Sequence, residues 1–115
     1  VIYGDGEQSR DFTYISNVVD ANLRAAETTR GVGQIVNVAT GRRTTLNELL
    51  GALKQITGKT GAEAEYRDPR AGDVRHSLAD ITSARDFLGY EPQVGLEEGL
   101  RKTLEWWKQS RYAKQ

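Results

Sequence analysis

Two short stretches of this 115-residue chain concentrate side chains suited to an anionic, hydroxyl-bearing ligand. The first reads Gly4-Asp5-Gly6-Glu7-Gln8-Ser9-Arg10-Asp11-Phe12, the second Arg67-Asp68-Pro69-Arg70-Ala71-Gly72-Asp73-Val74-Arg75. A guanidinium presents a planar fork of donors that matches two phosphate oxygens at once, and glycine lets backbone approach a ligand closely. An ionised carboxylate such as that of Asp73 only accepts hydrogen bonds, which suits the hydroxyl pair of a ribose. Together these loops would suit a sugar diphosphate. The same spacing also fits plain surface turns whose arginines pair with Asp11, Asp68 or Asp73, and exposed pairs of that kind contribute only about 0–1 kcal/mol. Spacing alone leaves both readings open.

Other reactive residue types are scarce. The chain has no Cys, which removes disulfides, thiolate metal sites and cysteine nucleophiles together and suits a reducing, cytoplasmic setting. His76 is the only histidine, so no histidine-rich metal cluster is expected. A triad of Asp73, His76 and Ser77 would ask sequence neighbours to adopt an arrangement normally assembled across a fold. Gly58-Lys59-Thr60-Gly61 has Leu53 where a phosphate-binding loop needs glycine, and it follows a helical pattern instead of a strand. It reads as a helix stop and turn.

Sixteen Lys plus Arg balance sixteen Asp plus Glu, so no sequence-wide polycation is available for nucleic acid. No apolar run approaches the roughly 20 residues that span a bilayer, and residues 1–10 lack the layout of a signal peptide. The length suits one unit spanning residues 1–115. The chain has no Met and opens on Val1 inside an apolar, extended stretch, which leads us to expect a truncated or dissected piece of a longer polypeptide.

The elements that must position the two loops read as alternating strands and helices, an α/β class. Val1 to Tyr3 and Phe12 to Ile15 are short strand candidates, and Gln34 to Ala39 fits a strand buried in a sheet. Ser16 or Asn17 is positioned to cap a helix with Val18, Val19, Ala25 and Ala26 on its apolar side, stopped by Gly31 and Gly33. Thr45-Leu46-Asn47-Glu48 matches a capping box, followed by a face of Leu46, Leu49, Leu50, Leu53 and Ile56 that ends at Gly58. Ala62, Ala64 and Tyr66 alternate with charged residues as a half-exposed strand does. Asp80 is placed to cap a helix that Gly89 stops. Leu96, Leu100, Leu104 and Trp107 mark a last helix with Trp107 in the core and Trp106 partly exposed, and the polar tail after Trp107 is expected to fray.

Three motifs carry a family resemblance: Gly4 to Ile15 (GDGEQSRDFTYI), Ile35 to Gly41 (IVNVATG) and Arg70 to Asp80 (RAGDVRHSLAD). In this order they resemble the extended short-chain dehydrogenases, specifically the NAD-dependent nucleotide-sugar epimerases and dehydratases. The likeness runs from about Val1 to Trp107 and includes Asp80 to Pro92 and Leu96 to Leu100, closest to UDP-glucose 4-epimerase-like members. It implies the C-terminal part of a Rossmann-type fold, few strands with about four helices. It also implies that Arg10 and Arg70 grip the diphosphate of a nucleotide sugar, UDP-linked by the nearest likeness, while Asp73 takes the ribose hydroxyls. Asp11, Tyr14 and Asn37 are expected to organise the fold around that pocket. Asn17 stands where such relatives usually carry Asp.

The resemblance also implies NAD in a full-length parent, with a Tyr-x-x-x-Lys pair and a glycine fingerprint to serve it. None of Tyr3, Tyr14, Tyr66, Tyr90 or Tyr112 has Lys four residues on, and no glycine fingerprint occurs. No catalytic or cofactor-binding residue is therefore assigned in this chain. The expected function is nucleotide-sugar recognition within such an enzyme, inactive alone. The alternative is a free-standing, non-catalytic module that binds a nucleotide or a protein partner. A sheet edge without its neighbours leads us to expect homo-oligomers.

Overall fold

Gly4 and Gly6 turn the chain back after its first strand, at φ of +95° and +78°, a left-handed region that glycine enters without steric penalty. That strand is Ile2–Tyr3 (β1), and Ser9–Arg10 (β2) follows the turn. A Cβ on Gly6 would lie 2.0 Å from Asn47 Oδ1, so only glycine lets the turn rest against Asn47. Asn47 closes that contact, its backbone N–H donating to Gly6 O at 3.1 Å and its Nδ2 to Asp5 O at 3.1 Å. Gln8 Nε2 donates to Tyr3 O, bracing the turn from within.

The computed structural model describes residues 1–110. Among them β2 runs antiparallel to Thr44–Thr45 (β3), Ser9 opposite Thr45. Tyr66–Arg67 (β4) runs parallel to β1, Ile2 opposite Tyr66 and Tyr3 opposite Arg67. Ser9 also bridges His76, so the β1–β2 segment touches the 67–76 loop at both of its ends.

Four helices complete the described chain: Ile15–Glu27 (α1), Leu46–Thr57 (α2), Thr82–Leu88 (α3) and Leu96–Gln109 (α4). α2 forms as its sequence requires. Glu48 N–H donates to Thr45 Oγ1 at 3.1 Å, Thr45 N–H donates to Glu48 Oε2 at 2.7 Å, and Gly58 ends the helix at φ +72°. Asp80 stands one residue before the Ile81 cap of α3, its Oδ1 accepting from Thr82 N–H at 2.9 Å. Gly89 then ends α3 in the left-handed region.

Several expected elements differ. Phe12 to Tyr14 is not a strand, and α1 begins at Ile15 after a Tyr14 cap, so neither Ser16 nor Asn17 caps it. Asn17 instead lies inside the first turn, 2% exposed. Its Nδ2 donates to Val94 O at 2.8 Å while its Oδ1 accepts from the N–H groups of Gln93 and Val94, both at 3.0 Å. The side of α1 that faces inward is marked by Asn17 and Ala21, whereas Val19 and Leu23 face out at 49% and 61% exposed. The small Ala21 lets α1 approach α3, whose Ala84 is fully buried in the same cluster. Gln34 to Ala39 is not a strand: Val36, Val38 and Ala39 rest on the core while Ile35 is 95% exposed. A β-prone run becomes sheet only when a strand lies beside it, and none of the described residues supplies one. Of the alternating stretch from Ala62, only Tyr66–Arg67 pairs.

The core is Ala21, Ala39, Ile81, Ala84 and Tyr90, small enough that Tyr90 is its one large fully buried side chain. The Tyr90 hydroxyl donates to Ala39 O at 2.8 Å, and burial pushes its pKa upward. Leu96, Leu100 and Leu104 of α4 are half-buried, and Trp107 at the end of that face is 48% exposed instead of core, because the cluster lies under α1 and α3 and not under the end of α4. Lys108 and Gln109 remain helical, and the rest of the polar tail, 111–115, lies outside the described residues.

Candidate functional site

β4 and the Ser9–His76 bridge place the loop of Arg70 and Asp73 against the strands that carry Tyr3 and Arg10. Gly4 N–H donates to Arg67 O at one end, and at the other Ser9 N–H donates to Arg75 O while Ser77 N–H donates to Ser9 O. Between these anchors Asp73 N–H donates to Arg70 O at 3.2 Å, a tight turn that Gly72 permits at φ +80°.

Side chains then cross from one segment to the other. Arg10 Nη2 donates to Asp73 Oδ1 at 2.6 Å, with Arg10 Nη1 held by Ser9 O at 2.8 Å. Both partners are about one-third exposed, 31% and 39%, so the pair is open to solvent and to exchange of partners. The Arg70 guanidinium lies over the Tyr3 ring, 4.0 Å from its centroid, a cation–π contact that leaves the charge unneutralised. The three residues singled out by sequence thus share one corner, where Arg10 and Asp73 meet directly and Arg70, in the loop after β4, lies over Tyr3 of β1.

A further pair at this corner was not singled out. Arg75 donates to both carboxylate oxygens of Asp5, at 3.3 Å and 2.8 Å, and Asp5 Oδ1 also accepts from Glu7 N–H at 2.9 Å. The Arg75 hydrogen bond, with help from the Glu7 amide, holds the Asp5 carboxyl below its ordinary value, and Asp5 in turn raises Arg75. The signal was present as one more arginine in the second motif, but nothing in the spacing paired it with Asp5.

Asp11 organises structure as expected, its carboxylate accepting from Thr40 N–H at 2.9 Å, Thr40 Oγ1 at 2.5 Å and Gly41 N–H at 2.8 Å. Tyr14 caps α1 and lies against Gly99, where an added Cβ would come within 3.0 Å of it. Asn37 reaches Asp80 O at 3.5 Å. Ser9 Oγ and His76 Nδ1 share a hydrogen bond of 2.9 Å, but Ser9 is 2% exposed and its hydroxyl cannot meet a substrate. Asp73 pairs with Arg10, and His76 Nδ1 with the buried Ser9 Oγ. Among the described residues there is no group of three or more His, Asp and Glu placed to hold a metal, and no helix long and apolar enough to cross a membrane.

A cleft of about 650 Å³ lies elsewhere. Arg42 and Arg43 line it together with Glu48, Glu97 and Glu98, and none of Arg10, Arg70 or Asp73 reaches it.

The α/β elements are similar to the C-terminal part of solved Rossmann-type epimerases. A UDP-glucose 4-epimerase of Thermotoga maritima, solved with UDP-glucose, is 48% identical with a TM-score of 0.86, over 94% of this chain and 34% of that one. A UDP-glucuronic acid 4-epimerase of Bacillus cereus, solved with UDP-glucuronic acid and NAD, is 32% identical with a TM-score of 0.86 over the same shares. The UDP-glucose 4-epimerase of Mycolicibacterium smegmatis is 46% identical over 109 residues, 93% of this chain and 34% of the relative. The model of the GDP-mannose 4,6 dehydratase family matches residues 1–103, and the chain belongs to that family. It spans about a third of the length of these relatives, corresponding to their C-terminal part.

Among the described residues, no helix start fits the pyrophosphate of a dinucleotide. Such a cofactor places its pyrophosphate at a glycine-rich helix N-terminus that follows a strand. Here Thr45 and Glu48 already occupy the amides at the start of α2, Glu97 and Glu98 put negative charge in the first turn of α4, and α1 and α3 start at Tyr14 and Ile81 without a glycine turn.

Proposed function

We propose that the corner of Arg10, Arg70 and Asp73 recognises the nucleotide diphosphate of a nucleotide sugar, UDP-linked, as part of an NAD-dependent epimerase or dehydratase. The observation that carries this reading is the convergence of two sequence-distant loops, which sets two arginines and an exposed carboxylate on one solvent-facing corner. The solved relatives hold UDP-sugars, which supports the choice of base. Arg70 is free to turn from the Tyr3 ring to phosphate oxygens. Release of the Arg10–Asp73 pair would give the diphosphate a second guanidinium and the ribose an acceptor. Gripping the nucleotide handle would position a sugar for chemistry performed by residues outside this chain, and remote binding energy is effective for that purpose. NAD, where bound, supplies the hydride acceptor.

The test is a calorimetric titration of UDP with wild type and Arg70→Ala. We expect the variant to bind at least about tenfold more weakly, roughly 1.4 kcal/mol, with a melting temperature within about 2 °C of wild type, since a surface side chain contributes little to folding. Absence of UDP binding by the wild type, or loss of binding that merely tracks loss of fold, overturns the proposal.

A further inference from the structure

We infer that Asp5 and Arg75 form a clasp that positions the nucleotide-recognising loop without touching the ligand, an inference that rests on the reading of the Arg10, Arg70 and Asp73 corner given above. Four contacts between side chains join the β1–β2 segment to the 67–76 loop: Arg70 with Tyr3, Arg10 with Asp73, Arg75 with Asp5, and His76 with the buried hydroxyl of Ser9. The first two use groups that a diphosphate and a ribose would recruit, so they open as the ligand arrives. The last two use neither and persist in both states, and of these the Asp5–Arg75 pair is the two-pronged one.

The geometry of the clasp suits that task. Its fork engages both oxygens of one carboxylate, which fixes orientation as well as distance. Asp5 is itself held by the Glu7 amide, inside a turn braced by Gln8 and by Asn47. Arg75 sits two residues from Asp73, and its carbonyl accepts from Ser9 N–H at 2.8 Å. A rigid turn is thereby coupled to the residue two places from the ribose acceptor, and an ordered loop loses less entropy on binding.

Both side chains are more than half exposed, so the clasp acts on local order rather than on global stability. Arg75→Ala removes the fork while leaving the backbone bond to Ser9 in place, and Asp5→Asn keeps an acceptor for Glu7 while removing the charge. Amide hydrogen exchange of residues 70–74 requires no ligand. We expect Arg75→Ala to speed exchange at the Asp73 amide by about fivefold or more and to weaken UDP binding by a similar factor, with little change in melting temperature. The Asp5→Asn, Arg75→Ala double variant should be no worse than Arg75→Ala alone, because the two substitutions remove one shared contact. Unchanged exchange in Arg75→Ala, or effects that simply add in the double variant, overturns the clasp. Faster exchange in a chain that fails to bind UDP would leave the clasp standing and remove the nucleotide reading instead. UDP binding with unchanged exchange does the reverse.

Discussion

Asp5 shows how much one side chain's partners decide at this corner. Its carboxylate is shared between the Arg75 guanidinium and the Glu7 amide, and both favour the ionised form, so its folded pKa lies below the ordinary 3.8. A depressed folded value means that the stabilisation is fully present above the ordinary value and is lost as pH falls through the folded one. In a carboxyl NMR titration we expect Asp5 to give a midpoint below 3.8 that moves upward in Arg75→Ala; a midpoint unmoved by that substitution would contradict the pairing. The residue types of the two loops were legible in the sequence. The pairing was not. Arg10 was equally able to meet Asp11 or Asp68, and only the bridge between Ser9 and His76 brings Asp73 within 2.6 Å of it.

At the scale of elements, local signals were faithful and nonlocal ones were not. The α2 capping box forms because Thr45 and Glu48 satisfy each other's backbone within four residues. Gln34 to Ala39 read as a strand because its side chains are β-prone, but strand formation is settled by a neighbour, and no described residue pairs with it. Ser9–Arg10, with no apolar signal at all, is a strand because Thr44–Thr45 lies beside it. Asn17 was read as a candidate helix cap, yet it ties α1 to the segment before α4 through three hydrogen bonds, two of them buried. Asn17→Ala should cost about 2–3 kcal/mol in chemical denaturation, since it leaves the buried Val94 amide and carbonyl without their partner. Asn17→Asp retains an acceptor for both amides and gives up only the donation to Val94, so its loss should be the smaller. A reversed order would mean that Asn17 acts through packing alone.

For the whole molecule, the radius of gyration is 16.8 Å, against about 13 Å for a closed domain of this length. The excess goes with apolar surface that the chain leaves uncovered. Ile15, Val19 and Leu23 fall four residues apart along one side of α1, at 63%, 49% and 61% exposed, and Ile35 is exposed in an unpaired segment. Apolar surface of this kind beside unshared backbone amides favours association. Sedimentation equilibrium should find dimers or larger species at micromolar concentration, and Leu23→Glu should shift the population toward monomer. A wild type that stays monomeric at tens of micromolar would refute this expectation. The α/β class and the four helices were legible from periodicity and stop signals. The openness was not, because a sequence displays its apolar residues without saying which of them find partners.

The 67–76 loop carries one further consequence. It is fastened at Arg67 by Gly4 and at Arg75 by Ser9, and Arg70 and Asp73 sit at fixed counts between those posts. Each added residue would lengthen the extended span by about 3.3–3.6 Å, more than the whole Arg10–Asp73 contact distance. The number of residues between the posts is thus a specification in its own right. Composition provides the groups, but length sets the gap across which they face each other.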